Sequence, residues 1–143
     1  MNVVKADDVT KEKLIEILTN AALEVVEEDD EPNEVYVKGL DFGVWLSFDD
    51  EKKIIRMKTY AKCKDDAPLD ELAALSESCN AKYMLVQFSS TVYDDGIGYL
   101  NGNCYMYYNF GLIPPQLIFT LKKFATIYIE AVREKDSEDK FFS

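Results

Sequence analysis

Histidine is absent from this chain of 143 residues. Its absence removes the commonest general base, the commonest metal ligand, and every nucleophile that depends on a neighbouring imidazole. Cysteine is scarce. Cys63, Cys79 and Cys104 make an odd set whose spacings match no zinc or redox motif. Three buried thiols in a reducing cytosol is the expectation that follows. Glycine and proline are few, six and four. Gly96, Gly98 and Gly102 fall close together, but inside one hairpin rather than between a strand and a helix, so no phosphate-binding loop is read from them. No apolar run approaches the ~20 residues of a membrane helix. Residues 1–8 carry neither the basic nor the apolar region of a signal peptide, and a cytoplasmic protein without membrane attachment is expected. Basic charge is also short. A formal net charge of −11 argues against a nucleic-acid partner, because phosphate contacts need a basic footprint.

What is present is a core. Hydrophobic residues make up 48% of the chain and aromatics 13%, which is globular composition. The length suits one domain, placed at residues 1–134, followed by a charged tail at 135–143 that is expected to fray apart from Phe141 and Phe142.

The clearest local signal is a hairpin. Two β-rich runs, 83–93 and 98–108, flank Asp94-Asp95-Gly96-Ile97. Asp-Gly between such runs favours a two-residue loop. A loop at Asp95-Gly96 sets Val92 opposite Tyr99, Phe88 opposite Asn103, Val86 opposite Tyr105 and Met84 opposite Tyr107. One face then carries Met84, Val86, Phe88 and Val92, and the other Leu85, Leu100, Cys104 and Met106. The first of these is expected to meet the helices.

Around the hairpin the chain reads in order. Thr10 caps a first helix, with Val9 stapled to Leu14 and an apolar stripe of Leu14, Ile17, Leu18 and Ala21. Strands are expected at 24–28, 35–40, 44–48 and 54–64, with a turn at 29–33. The last strand alternates cleanly: Ile55, Met57, Thr59, Ala61 and Cys63 point one way, and Arg56, Lys58, Tyr60, Lys62 and Lys64 the other. Pro68 opens a second helix with Leu69, Leu72, Leu75 and Cys79 on its apolar side and Asn80 at its end. Pro114-Pro115 opens a third, whose apolar arc (Leu117, Leu121, Phe124, Tyr128 and Ala131 beside Ile118, Ala125, Ile129 and Val132) is wider than one sheet contact needs. That width asks for a second surface, either the first helix or another subunit. The expected architecture is a two-layer α+β domain, an antiparallel sheet with three helices on one face in the order α-β-β-β-α-β-β-α.

Two groups of residues are candidates for binding. Lys52, Lys53, Arg56, Lys58, Lys62 and Lys64 fall in a stretch with no acid, and Arg56, Lys58, Lys62 and Lys64 form a basic patch that could hold an acidic peptide or phosphate, or simply guard a solvated strand. Tyr99, Leu100, Tyr105, Met106, Tyr107 and Tyr108 cluster on the second hairpin strand, where tyrosines suit an interface and a half-buried sheet equally. Acidic pairs at 29–30, 49–50, 65–66 and 94–95 lie at turns, where Asp bonds its own backbone, and none has calcium-loop spacing. Cys104 has no base near it in sequence and reads as a packed thiol. No catalytic residue, cofactor or metal is expected.

One resemblance joins these pieces. Residues 69–80, ending at Asn80, then the strand through Phe88, the Asp94-Asp95-Gly96 turn and the helix after Pro114-Pro115 resemble the YbjN-like domain, of the type III secretion chaperone-like fold. In that family a short helix ending near an Asn leads into a hairpin with an acidic-Gly turn, and a long apolar helix closes the sheet. The resemblance implies no catalytic residue. It implies a bacterial regulator of sensory or stress responses without an established reaction, and the related secretion chaperones are small, acidic, dimeric cytosolic proteins that bind an extended effector segment. The leading expectation is therefore a non-enzymatic, protein-binding regulator acting as a homodimer. A dedicated secretion chaperone whose client adds a strand at Val25 and Val26 is the alternative. A small-molecule binder using room at Gly98, Gly102 and Cys104 is a third.

Overall fold

The computed structural model describes residues 2–27 and 30–142. Glu28, at the end of the first expected strand, and Asp29, in the turn and acidic pair after it, lie outside the described residues. The elements are α1 (Lys11–Asn20), β1 (Glu24–Glu27), β2 (Glu34–Lys38), β3 (Val44–Asp49), β4 (Ile54–Lys62), α2 (Leu72–Lys82), β5 (Gln87–Val92), β6 (Gly98–Tyr107) and α3 (Pro114–Lys135). They form the expected α+β class, an antiparallel six-stranded sheet in the order β1-β2-β3-β4-β6-β5 with three helices. Four strands separate α1 from α2, matching the four expected ranges and one more than the order α-β-β-β-α-β-β-α counts. Two compact units make up the chain: Met1–Met57 with Tyr105–Thr126, and Lys58–Cys104 with Ile127–Ser143.

In the first unit, Thr10 caps α1 by accepting a hydrogen bond at Oγ1 from the Lys13 backbone N–H, 3.1 Å away. Val9 and Leu14 are both buried, as a hydrophobic staple requires. The helix buries Leu14, Ile17 and Leu18 and packs on β1 and β2. Val35 and Val37 of β2 pair with Leu46 and Val44 of β3, and all four are buried. From α3, Leu117, Leu121 and Phe124 complete this core.

The second unit is built on β4, β5, β6, α2 and the end of α3. Ala61 and Cys63, with Thr59, keep the buried side expected of their strand. The second helix starts later than expected: Pro68 precedes a 3-10 turn at Leu69–Glu71, and α2 begins at Leu72. It also runs two residues beyond Asn80. Asn80 does not end the helix; its side chain is bonded to the backbone of Phe88.

The hairpin register differs from expectation by one residue. Phe88 pairs with Gly102, Thr91 with Tyr99 and Val92 with Gly98. The loop is three residues long: the Gly96 N–H donates to the Tyr93 carbonyl at 2.9 Å, and the Tyr93 N–H to the Ile97 carbonyl at 2.9 Å. Gly96 has φ +82, a left-handed conformation that glycine adopts without steric cost. This is the type I turn with a glycine bulge, the next most common hairpin connection after the two-residue loop. A one-residue slip exchanges the two faces of a strand. Val86, Phe88, Leu100 and Cys104 are consequently buried together. Met84, placed on the core face by the expected register, is 84% exposed, and Val92 is exposed too. Leu85 sits at φ +75 in the turn before β5, so the strand starts at Gln87 rather than at Tyr83.

The tail does not fray. Phe141 and Phe142 are buried, and Asp136, itself buried, accepts the backbone N–H groups of Lys140, Phe141 and Phe142 at 2.8, 3.0 and 2.9 Å. The Lys64 N–H donates to the Phe141 carbonyl at 2.8 Å.

Candidate functional site

Strand alternation and the corrected register build the site in the second unit. Lys58, Tyr60 and Lys62 share the wet side of β4, because Thr59 and Ala61 between them are buried. Thr91 and Tyr93 follow one another at alternate positions, and Tyr99 and Asn101 do the same on β6. Pairing Thr91 with Tyr99 puts these four on one face of the hairpin. The rings of Tyr60 and Tyr99 meet edge to face, with centroids 5.4 Å apart and planes at 86°. Tyr93 meets Tyr99 at 5.6 Å and 78°. Tyr60, Tyr93, Tyr99 and Asn101 line a cleft of about 260 Å³. Its floor is held by Asn101, whose Nδ2 donates to Thr91 Oγ1 at 2.9 Å. Tyr60 and Tyr93 remain 43% and 57% exposed. Large aromatic rings left in water beside one another are the usual mark of an interaction site.

Tyr60, Tyr93 and Asn101 were not among the candidates drawn from the sequence. Tyr60 was legible from the alternation of its strand but was grouped with the lysines. Tyr93 was hidden by the register, which set it on the face away from Tyr99.

The expected partner-binding set divides. Tyr99 lies in the cleft. Leu100 and Tyr108 are buried and belong to the core, which removes them from any surface. In the first unit Tyr105 and Tyr107 are exposed, and Met106, on the other side of the strand, is half-buried. Tyr108 is fastened by its backbone N–H to the Lys53 carbonyl at 2.9 Å and by its hydroxyl to the Asp49 carbonyl at 3.3 Å. Burial pushes its phenol above the ordinary range. Of the expected basic patch, Arg56 is exposed on the first unit's part of β4, and Lys58, Lys62 and Lys64 belong to the second unit.

The room expected beside Gly98 and Gly102 is filled. A Cβ on Gly98 would stand 2.6 Å from Leu69, and one on Gly102 2.6 Å from the ring of Tyr128. These glycines serve packing, not a ligand. The thiols of Cys63 and Cys79 are buried, and desolvation raises both pKa values, so neither is an activated nucleophile. Among the described residues, no group of three or more acidic or thiol side chains is placed to hold a metal ion. Nor is any described helix long and apolar enough to cross a membrane.

The first unit has a separate groove of about 610 Å³ between α1 and the start of α3, bounded by Ile17, Ala21, Pro115, Ile118 and Phe119 with Lys13, Glu16 and Lys122 at its rim. Phe119 is 58% exposed. The wide apolar arc of α3 thus has α1 as one neighbour and still leaves an aromatic ring in water.

Comparison with solved structures decides the fold. YbjN of E. coli, described as a candidate transcription regulator, superimposes with a TM-score of 0.79 at 15% identity, over 99% of this chain and 100% of that one. The chain has the YbjN-like fold. An uncharacterised protein from Methanothermobacter thermautotrophicus shares it, with a TM-score of 0.66 at 10% identity over 91% of this chain and 99% of that one. No family model matches the sequence, and no curated protein matches it.

Proposed function

We propose that this protein is a non-enzymatic regulatory module that binds another protein through the tyrosine cleft of β4, β5 and β6, in the cytoplasm of a bacterium. The partly exposed ring cluster of Tyr60, Tyr93 and Tyr99 carries this reading. Rings that are half exposed and arranged around a cleft lose water favourably when a partner covers them. A regulator that acts by touching a protein rather than DNA also accords with the net charge of −11. The name borne by the YbjN structure, a candidate transcription regulator, fits the same role. Strand addition by an extended client has less support. The outer edge at Phe88 is occupied by Asn80, and β1 is only four residues long with a glutamate at each end.

The test is a photo-crosslinking amino acid at position 93 in the native cell. The reading expects one dominant adduct that Tyr60→Ser abolishes. Absence of any discrete adduct refutes it.

The homodimer belongs to the same proposal and rests on the groove of the first unit. Phe119 stands out from α3 beside Lys122, and Glu16 of α1, in an ion pair with Lys13, borders the same groove, so a two-fold copy would set Lys122 near Glu16 around an aromatic anchor. Light scattering should give twice 16.4 kDa for the wild type and 16.4 kDa for Phe119→Glu. A wild-type mass of 16.4 kDa at all concentrations rules the dimer out.

A further inference from the structure

We infer that the tyrosine cleft takes a proline-rich segment in the polyproline II conformation, flanked by acidic residues; this rests on the protein-binding reading above. Three features of the cleft point to that occupant. The first is shape. Tyr60 and Tyr93 each stand near-perpendicular to Tyr99, at 86° and 78°, so the cluster is a corner that turns ring faces in two directions. A flat aromatic ligand wants parallel walls. A puckered saturated ring fits a corner, its polarised C–H groups against the negative ring faces. The volume of about 260 Å³ suits one or two residues, not a whole cofactor.

The second feature is hydrogen-bonding type. Tyrosine rings with their hydroxyls line the cleft, and Lys62 is exposed on the same side of β4 as Tyr60; hydroxyl and ammonium groups can both donate. The one amide in the cleft, Asn101, already spends an N–H on Thr91. A proline-rich chain is the complementary ligand. It offers carbonyl acceptors, has no N–H at proline, and forms no internal hydrogen bonds that would hide those carbonyls. Because its backbone is already extended and stiff, little ordering entropy is lost on binding.

The third feature is charge. Lys62 lies two residues after Tyr60 on the same face of β4, in a stretch without an acid. It complements an acidic residue next to the prolines. A phosphate or nucleotide has the same sign, but such anions are usually gripped by the backbone N–H groups of a loop or helix start. The backbone N–H of Tyr93 is already donated to the Ile97 carbonyl, and Thr91 and Tyr99 are paired in the ladder, so at these positions side chains are what the cleft offers a ligand.

The experiment uses the full chain and a fluorescein-labelled peptide of eight prolines followed by two aspartates, read by anisotropy. Saturable binding is expected, weakened about tenfold by Tyr60→Ser or Tyr93→Ser, the loss expected for one aromatic wall. Both residues are exposed, so circular dichroism should show an unchanged fold. Lys62→Glu should shift the preference from the aspartate-flanked peptide towards one flanked by lysines. Failure of the peptide to saturate, or binding that ignores both tyrosine variants, overturns the inference. So does displacement of the peptide by AMP or inorganic phosphate at equal concentration, which would make the cleft an anion site. If the peptide fails while the adduct at position 93 persists, only the proline assignment falls. If both fail, the protein-binding reading falls with it.

Discussion

The side-chain amide of Asn80 pairs with the backbone of Phe88 in both directions, Nδ2 donating to the carbonyl at 2.9 Å and Oδ1 accepting from the N–H at 2.8 Å. An asparagine on α2 thus does what a neighbouring strand would do. It satisfies the outward backbone groups of Phe88 in β5, an edge strand, and clips the helix to the sheet. Removing it leaves two part-buried backbone groups without partners. Asn80→Ala should cost about 1–3 kcal/mol in urea unfolding. Asn80→Asp, which keeps the acceptor and loses the donor, should fall between the alanine variant and the wild type. Equal stability of all three would show that the pairing contributes nothing.

Gly102 faces the ring of Tyr128, which stacks on Phe88 at 5.8 Å and 14° and donates its hydroxyl to the Leu100 carbonyl at 2.7 Å. The ring is fully buried, and burial drives its phenol pKa far upward, so it stays protonated and keeps donating. A methyl group at position 102 would lie 2.6 Å from that ring. Gly102→Ala should therefore destabilise by about 1–3 kcal/mol, measured by thermal melting. Pairing it with Tyr128→Leu, which vacates space, should recover part of the loss in a double-mutant cycle.

Asp136 holds the C-terminal segment by three backbone hydrogen bonds to one carboxylate. Asp136→Ala should free Phe141 and Phe142, cost about 2–4 kcal/mol, and let trypsin cut the released backbone after Lys140. Limited proteolysis followed by mass spectrometry reads this directly. Resistance at Lys140 in the variant would mean that the two phenylalanines anchor the segment unaided.

The end of α2 is joined to α3 by a pH-sensitive contact. Glu134 accepts hydrogen bonds from Lys82 and from the hydroxyl of Tyr83. The bond to Glu134 pushes the Tyr83 phenol from 10.0 up to about 12, and the bond from Lys82 first, then that from Tyr83, lowers the Glu134 carboxyl below 4.5. A raised pKa stabilises below the unfolded value and is lost as pH climbs, so the tyrosine contribution should fade between pH 10 and about 12. A lowered pKa works in the opposite sense, so the Glu134 contribution should fade as pH falls below 4.5. The melting-temperature gap between the wild type and Glu134→Gln should be widest between these limits and close at both ends. A gap that is flat with pH would remove the assignment.

Local signals in the sequence settled a good deal. The alternation of Ile55, Met57, Thr59, Ala61 and Cys63 named a buried strand face residue by residue, because a strand repeats every two residues whatever lies beside it. The stripe of Leu117, Leu121, Phe124, Tyr128 and Ala131 likewise named the fully buried side of α3, and the absence of histidine set limits on chemistry before any fold was known. Tertiary structure decided the rest. Asp94-Asp95-Gly96 permits both a two-residue loop and a three-residue loop with a bulge, and the choice was made by which register buries Phe88 with Leu100 rather than by the turn itself. That one-residue difference is what brings Tyr93 to the face of Tyr99 and creates the cleft. The fit of Gly102 to Tyr128 depends on a helix packing against a strand distant in sequence, and that of Asn80 to Phe88 on how α2 packs against β5. Periodicity tells which side of an element is apolar. Which residue of another element it meets is chosen by close packing across the whole core.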